Sequence, residues 1–289
     1  MPFQPDYPVP PERTPYTFTA DPQPNGVRVG CLMLHGFMGS PTSSRPMAQF
    51  LAQNGVTVHC PLLPGHGEFP RRMYKISRRA WIAEAEEALA HIRPMCDQLF
   101  LMGHSMGNVL GAHLVNSVGG FQGMIMLVPV YELPDKRLKL MRWLRYVMPW
   151  FYPYKMKKMR PLVKERVHDF DPTIDFDDPE VQAWLPQATR IPTGALAEMV
   201  AMVFWGRTLW PRLNLPALLF EGGKDRAVPA GSIPNIYELL PGQEKTLQSL
   251  PDAGHEMMRP FDPAHKQVWA TIVRFMGQHS DLVIAQPDS

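Results

Sequence analysis

Cysteine is scarce: Cys31, Cys60 and Cys96 are the only three in 289 residues. They lie far apart, form no CxxC pair and make an odd total. That excludes a disulfide framework or a cysteine-based zinc site and fits a reducing compartment. No apolar run approaches the ~18 residues that a membrane-spanning helix needs. The first 26 residues hold no apolar core of the kind a secretory signal carries, so the chain reads as cytoplasmic. Excess charge of one sign is also missing. Lys and Arg number 29 against 27 Asp and Glu, a net of +2, and bulk charge therefore points to no nucleic-acid partner. What is present is apolar material, 45% of residues against 19% charged, which is ample for a large core and excludes a mainly disordered chain.

Proline is abundant at the start. It blocks helix and ladder hydrogen bonding, so residues 1–26 read as an extended arm. From residue 27 short apolar runs alternate with helical patterns, the signature of βα units around a mostly parallel sheet, an α/β fold. The expected strands are Val27–Leu34, Val56–Cys60, Leu99–Met102, Met124–Val128, Ala217–Phe220 and Lys245–Leu250. Trp81, Ala85, Ala88, Leu89 and Ile92 fall on one face of a helix that Pro94 ends. Val268, Ile272 and Phe275 mark a final helix, and residues 280–289 read as a frayed tail. Between about 133 and 215 the rhythm breaks for some 80 residues, far more than a crossover needs. The expected organisation is a core of residues 27–132 and 216–279 with a helical cap inserted at 133–215.

The strongest local signal is LFLMGHSMGNVLGAHLV. An apolar strand runs into Gly103-His104-Ser105-Met106-Gly107 and then into a helix, which is G-x-S-x-G in the context that chemistry requires. A sharp turn strains the backbone at Ser105 and leaves no room for side chains beside it, hence the two glycines. The turn lifts the Ser105 hydroxyl off the end of the sheet and aims the helix N-terminus at it. A serine hydroxyl needs an adjacent base. His255, in LPDAGHEMM after the last strand, is the expected base. His104 is expected to be turned away from the hydroxyl, His265 and His279 to face solvent, and His35 and His66 to serve packing or loop hydrogen bonds. The acid that orients the imidazole is expected to be Asp225, on a Gly-rich turn after a strand, with Glu221 and Asp252 as weaker alternatives. The order Ser105, Asp225, His255 follows the Ser…Asp…His order of that architecture. Backbone N–H groups of Phe37, in LMLHGFMGSPTSS, and of Met106 are the expected oxyanion donors.

HGFMGSP, PLLPGHG, GHSMG, GGKDRAVP and AGHEM together resemble the serine α/β-hydrolases, most of all the bacterial carboxylesterases and monoacylglycerol lipases, over roughly residues 27–278. The resemblance implies a central sheet, a helical cap and hydrolysis of carboxylic esters with neither metal nor organic cofactor. It implies Ser105 as nucleophile, Asp225 and His255 as its partners, and Phe37 and Met106 as oxyanion donors. Asn108 departs from relatives that often carry Gly or Ala after GHSMG. A thioesterase, an acyltransferase, a C–C hydrolase or a non-catalytic lipid-binding module on the same fold remain alternatives. A carboxylate-dependent dehalogenase or epoxide hydrolase does not fit Ser105.

The expected partner is a small-molecule or lipid ester. Residues 136–166 hold eleven Lys and Arg against one acid, Glu165, interleaved with aromatics. Leu140, Leu144, Val147, Met148 and Phe151 mark an apolar helical face. This segment reads as a cap packed on the core with solvated charges, as a peripheral surface drawn to anionic lipid, or as a nucleic-acid site, which nothing else supports. Met199, Met202 and Phe204 are expected to form an adaptable acyl pocket.

Overall fold

The computed structural model describes residues 2–170 and 173–283, with the side chains of 165, 166, 169 and 170 outside that description. The arm turns through a short 3-10 helix at Pro11–Arg13 and is not free of ladder bonds. In its Pro-free stretch, β1 (Tyr16–Phe18) pairs antiparallel with β3 (Val56–Cys60), an edge strand that the proline count hid. β2 (Val29–Leu34), β4 (Gln98–His104), β5 (Gly123–Leu127), β8 (Ala217–Gly222) and β9 (Lys245–Leu250) complete one sheet, in the order β1-β3-β2-β4-β5-β8-β9. All pairs except β1–β3 are parallel. β2, β3 and β5 are buried along their whole length, Thr57 and His59 of β3 included, as expected for strands of a parallel sheet covered on both faces.

Helices cover both faces. α1 (Arg45–Gln53), which the sequence reading did not anticipate, packs near α9 (His265–Gln278). α2 (Arg78–Ile92) buries Trp81, Ala85, Ala88, Leu89 and Ile92, the face its spacing predicts. α3 (Gly107–Ser117) lies against β4 and α2. α8 (Ser232–Leu239) flanks β8. The three cysteines are buried and free. The frayed tail expected for 280–289 is pinned as far as residue 283: Leu282 is buried, and the Asp281 and Val283 amides donate to Gln98 and Gln23. Residues 284–289 lie outside the described residues.

Between β5 and β8 the chain forms α4 (Met141–Leu144), a two-residue pairing of β6 (Trp150–Phe151) with β7 (Ile191–Pro192), α5 (Arg160–Phe170), α6 (Pro179–Ala188) and α7 (Thr193–Leu209). Tyr154, Val167 and Leu185 make a small buried cluster separate from the main core. α7 packs on α2, α3 and α4, and its Met202 is fully buried in the main core. The apolar face expected on 140–151 does not all turn inward: Leu144 and Phe151 meet the core, whereas Leu140 and Val147 are exposed. Among the described residues no helix is long and apolar enough to cross a membrane.

Glu198 on α7 ties these layers together. It accepts from Arg78 Nη1 (2.7 Å) at the start of α2 and from Arg145 Nη1 (2.9 Å) just after α4. Burial by itself pushes its carboxyl up, but the two arginines outweigh that and hold it below the usual range. A carboxyl with a depressed folded-state pKa stabilises above its unfolded pKa and loses that contribution as pH falls through the folded value. Glu198→Gln is therefore expected to cost about 1–3 kcal/mol at pH 7. In denaturant melts the gap to wild type closes as the pH drops below the ordinary carboxylate range; a gap independent of pH would contradict the ion-pair account.

Candidate active site

Parallel strands end on one side of the sheet, and the loops that leave them carry the candidate residues. The turn after β4 is the tightest. Ser105 sits at φ 52°, a left-handed conformation that a side-chain-bearing residue adopts only under constraint. The constraint comes from both neighbours: a Cβ on Gly103 would meet the Asn108 backbone, and one on Gly107 would run into the Leu34 carbonyl. The Ser105 amide donates to the Leu127 carbonyl at 2.9 Å. Asn108, fully buried, donates through Nδ2 to the carbonyls of Ser105 (3.0 Å) and Leu127 (2.9 Å). The residue that departs from the relatives' pattern thus braces the turn against the end of β5.

The loops after β8 and β9 are joined by their backbones. Gly223 N–H donates to Leu250 and Lys224 N–H to Ala253, each at 2.9 Å. This brings Asp225 to His255 across thirty residues, with Nδ1 to Oδ2 at 2.8 Å. The other carboxylate oxygen, Oδ1, accepts from the Ala227 (2.7 Å) and Val228 (3.0 Å) amides. Burial alone raises the Asp225 carboxyl. The bond and charge of His255, with those two amides, more than offset it, so the group is held below its ordinary pKa and stays ionised. An ionised acceptor fixes the imidazole proton on Nδ1 and leaves the Nε2 lone pair open as a base. Glu221 instead accepts from Ser249 (2.7 Å), and Asp252 pairs with Lys224 at the surface (2.8 Å), so neither alternative acid reaches the histidine.

Ser105 and His255 line one cleft together with Gly36, Phe37 and Met38 of the loop after β2. That loop is pressed onto the serine turn: a Cβ on Gly36 would stand 3.1 Å from Ser105 Cβ. His35 holds the loop in place. Its Nδ1–H donates to the Gly36 carbonyl (3.0 Å), and its Nε2 accepts from the Leu63 amide (3.1 Å). Burial, reinforced by His66 and His104 nearby, drives its pKa down to about 3, so it acts as a neutral tie. His66, lowered to about 4 by burial, packs its ring against Phe37 and Trp81. Met106 opens the first turn of α3, where main-chain N–H groups have no helical acceptor.

His104 has a role that its position beside the serine does not announce. Its ring lies edge-on to His255, with centroids 4.8 Å apart, and its Nε2–H donates to the His255 carbonyl at 2.8 Å. It buttresses the base from behind. Nothing in the G-x-S-x-G pattern signals this, because the contact spans 151 residues. His104, His255 and Glu256 bring three donor atoms within 4.8 Å of one another, and two ring nitrogens of this group, His104 Nε2 and His255 Nδ1, bond the His255 carbonyl and Asp225.

The structure does not bring Met199, Met202 and Phe204 to this cleft. Met202 is sealed in the core, Met199 is partly buried against it, and Phe204 lies under Lys139 and Arg207. The fully apolar surroundings that a methionine signals are equally those of a core helix.

The family described as serine aminopeptidase, S33, matches residues 26–263. The chain is 26% identical over 240 residues to the thermostable monoacylglycerol lipase of Bacillus sp. (strain H-257), covering 81% of this chain and 85% of that relative. Among solved structures, one described under LipS and LipT, two metagenome-derived lipolytic enzymes, aligns with TM-score 0.75 at 23% identity over 94% of this chain and 100% of that one. The monoacylglycerol lipase of Paleococcus ferrophilus aligns with TM-score 0.69 at 18% identity, covering 92% and 98%. With a family match over most of its length and a parallel sheet that carries serine, aspartate and histidine at its carboxyl edge, the chain belongs to the serine aminopeptidase S33 family of α/β-hydrolases.

Proposed function

We propose that the protein hydrolyses carboxylic esters, short- to medium-chain acyl esters or monoacylglycerols, through an acyl-enzyme on Ser105. The observation that carries this is the ionised Asp225 bound to His255 Nδ1 in the cleft that Ser105 enters from a strained turn. In this reading His255 Nε2 takes the Ser105 proton as the hydroxyl attacks the ester carbonyl. The oxyanion is met by the N–H groups of Phe37 and Met106, and the alcohol leaves with the proton from His255. Water then repeats the sequence on the acyl-enzyme. Residues 133–215 are the cap, a division supported by the separate buried cluster around Tyr154 and Leu185.

A panel of p-nitrophenyl esters from two to eight carbons, monoacylglycerols and acyl thioesters tests the substrate class. Oxygen esters are expected to show the highest kcat/KM; a thioester ahead of every oxygen ester would move the protein to the thioesterase alternative.

The cap also supports the peripheral lipid reading. Trp143, Tyr146 and Val147 stand exposed, the last two at 79%, with Arg142 over the Trp143 ring and Lys136, Arg137 and Lys139 nearby in the chain. Apolar tips among cations suit the interface of an anionic bilayer. The side chains of Glu165 and Arg166, counted in the basic run, lie outside the described residues. The protein is expected to sediment with phosphatidylglycerol vesicles and not with phosphatidylcholine vesicles, and Trp143→Glu is expected to weaken that binding. Equal, negligible binding to both would remove the lipid surface from this proposal.

A further inference from the structure

The N-terminal arm is fixed to the core on both sides of Arg13. Upstream, the Tyr7 hydroxyl donates to the His66 carbonyl (2.8 Å), and the Arg13 amide closes the 3-10 turn onto the Pro10 carbonyl (2.9 Å). Pro10 and Pro11 fix their own φ angles, so this turn has little freedom. Thr42 Oγ1 donates to the Glu12 carbonyl (2.7 Å). Arg45 donates to that same carbonyl through Nε (3.1 Å) and to the Thr14 carbonyl through Nη2 (2.9 Å). Downstream, Tyr16 is buried, its hydroxyl shares a hydrogen bond with Ser44 Oγ (2.8 Å), and the Arg45 guanidinium lies over its ring. The turn at Pro11–Arg13 packs against a second 3-10 turn, Pro41–Ser43, in the loop that carries Phe37.

Arg13 stands between the two gripped carbonyls. Its side chain is only 12% exposed and forms part of the cleft that Ser105 and His255 line. Its guanidinium is paired with Glu12 at 4.0 Å, so what it gives the cleft is the bulk of its stem rather than free charge. The cleft holds about 40 Å³, space for only a few water-sized atoms. We propose that Arg13 is a specificity-determining residue: held in place by the strapped arm, it limits the size of the ester fragment that lies beside Ser105. A side chain on a loose arm would swing aside for any substrate. One whose flanking carbonyls are both gripped moves only with the whole turn, and so discriminates by size. This inference rests on the serine-esterase reading and narrows it to esters with one small half. That half is either the acyl or the alcohol side, and the test separates the two.

Two ester series vary one half at a time. Methyl, butyl and benzyl butyrate enlarge the alcohol. Methyl acetate, methyl pentanoate and methyl phenylacetate enlarge the acyl group. In one series the wild-type kcat/KM is expected to fall by roughly ten- to a hundredfold from the smallest member to the bulkiest, the range that a methylene commands in a shaped pocket. That series identifies the half against the arm. Arg13→Ala is expected to raise the bulkiest member towards the smallest and to leave the smallest nearly unchanged. Arg13→Met, which keeps the stem and removes the charge, is expected to preserve the wild-type ranking. Arg45→Met, which loosens the strap from outside the cleft, is expected to relax the ranking in part. An Arg13→Ala variant that lowers every ester together, or an Arg13→Met variant that relaxes the ranking as far as alanine does, would overturn the wall. So would a ranking that Arg13→Ala or Arg45→Met leaves intact, or a wild type that ranks neither series by size. Calorimetric titration of the same esters into Ser105→Ala, with and without Arg13→Ala, keeps this inference apart from the reading it rests on. Bulky esters that bind more tightly once Arg13 is replaced, with no wild-type turnover of any ester, uphold the wall and sink the esterase. Turnover of both series with no ranking by size does the reverse.

Discussion

Ser105→Ala is expected to lower turnover of a p-nitrophenyl ester by roughly 10³–10⁶-fold, because the members of such a triad act as a unit and the loss of one removes nearly all that the group contributes. Stability should barely change. The strain at this position lies in a backbone held at φ 52°, and alanine carries a Cβ as serine does, so the strain stays. The Ser105 amide bond to Leu127 and the Asn108 brace on the Ser105 carbonyl are both main-chain interactions and survive the substitution. Single-turnover kinetics with a melting curve on the same preparation checks both halves. Wild-type-like turnover in the variant would reject Ser105 as nucleophile. A fluorophosphonate probe should label wild type and leave the variant unlabelled.

The second large effect is expected at Asp225. Asp225→Asn keeps the size of the side chain, and an amide oxygen can still accept from the Ala227 and Val228 N–H groups at Oδ1. The loop is therefore expected to hold its shape. What changes is the atom facing His255: an NH2 now stands where Oδ2 accepted from Nδ1 at 2.8 Å. Two N–H groups cannot face each other, so the imidazole proton moves to Nε2, and the lone pair that should take the Ser105 proton is gone. The expected loss is about 10⁴-fold in kcat near neutral pH. Because Asp225 is held below its ordinary pKa in the folded protein, its own protonation falls on the acid side of the usual carboxylate range, and the wild-type enzyme keeps this orienting charge throughout the neutral region. A kcat profile across pH, recorded beside thermal melts, tests this. A variant with near-wild-type kcat would show that His255 is oriented by another group.

The residues of this site were legible in sequence for a local reason. Ser105, Asp225 and His255 each follow a short strand and lie within two residues of a glycine, so strand, turn and nucleophile, acid or base can be read from one window of residues. The sheet was legible too: Val56–Cys60 and Lys245–Leu250 begin and end where the sequence reading puts them. Where the decisive contact lies far away in the chain, the pattern was silent. His104 meets His255 across 151 residues, and Arg45 grips the arm across 31 and 33. Composition misled at the arm, where proline hid a three-residue strand and an arginine that walls the cleft. It misled again at Met202, because hydrophobicity alone does not distinguish a buried helix from a pocket wall. On residues 140–147 the periodicity marked an apolar stripe correctly but could not say that part of it faces outward.

The short antiparallel strand at Tyr16–Phe18 pairs with the outer side of Val56–Cys60, which would otherwise present a row of unpaired backbone N–H and C=O groups to other molecules. The same segment carries Arg13 three residues earlier. A shortened amino-terminal segment would thus alter two features at once, one wall of the cleft beside Ser105 and the tendency of separate copies to stick together.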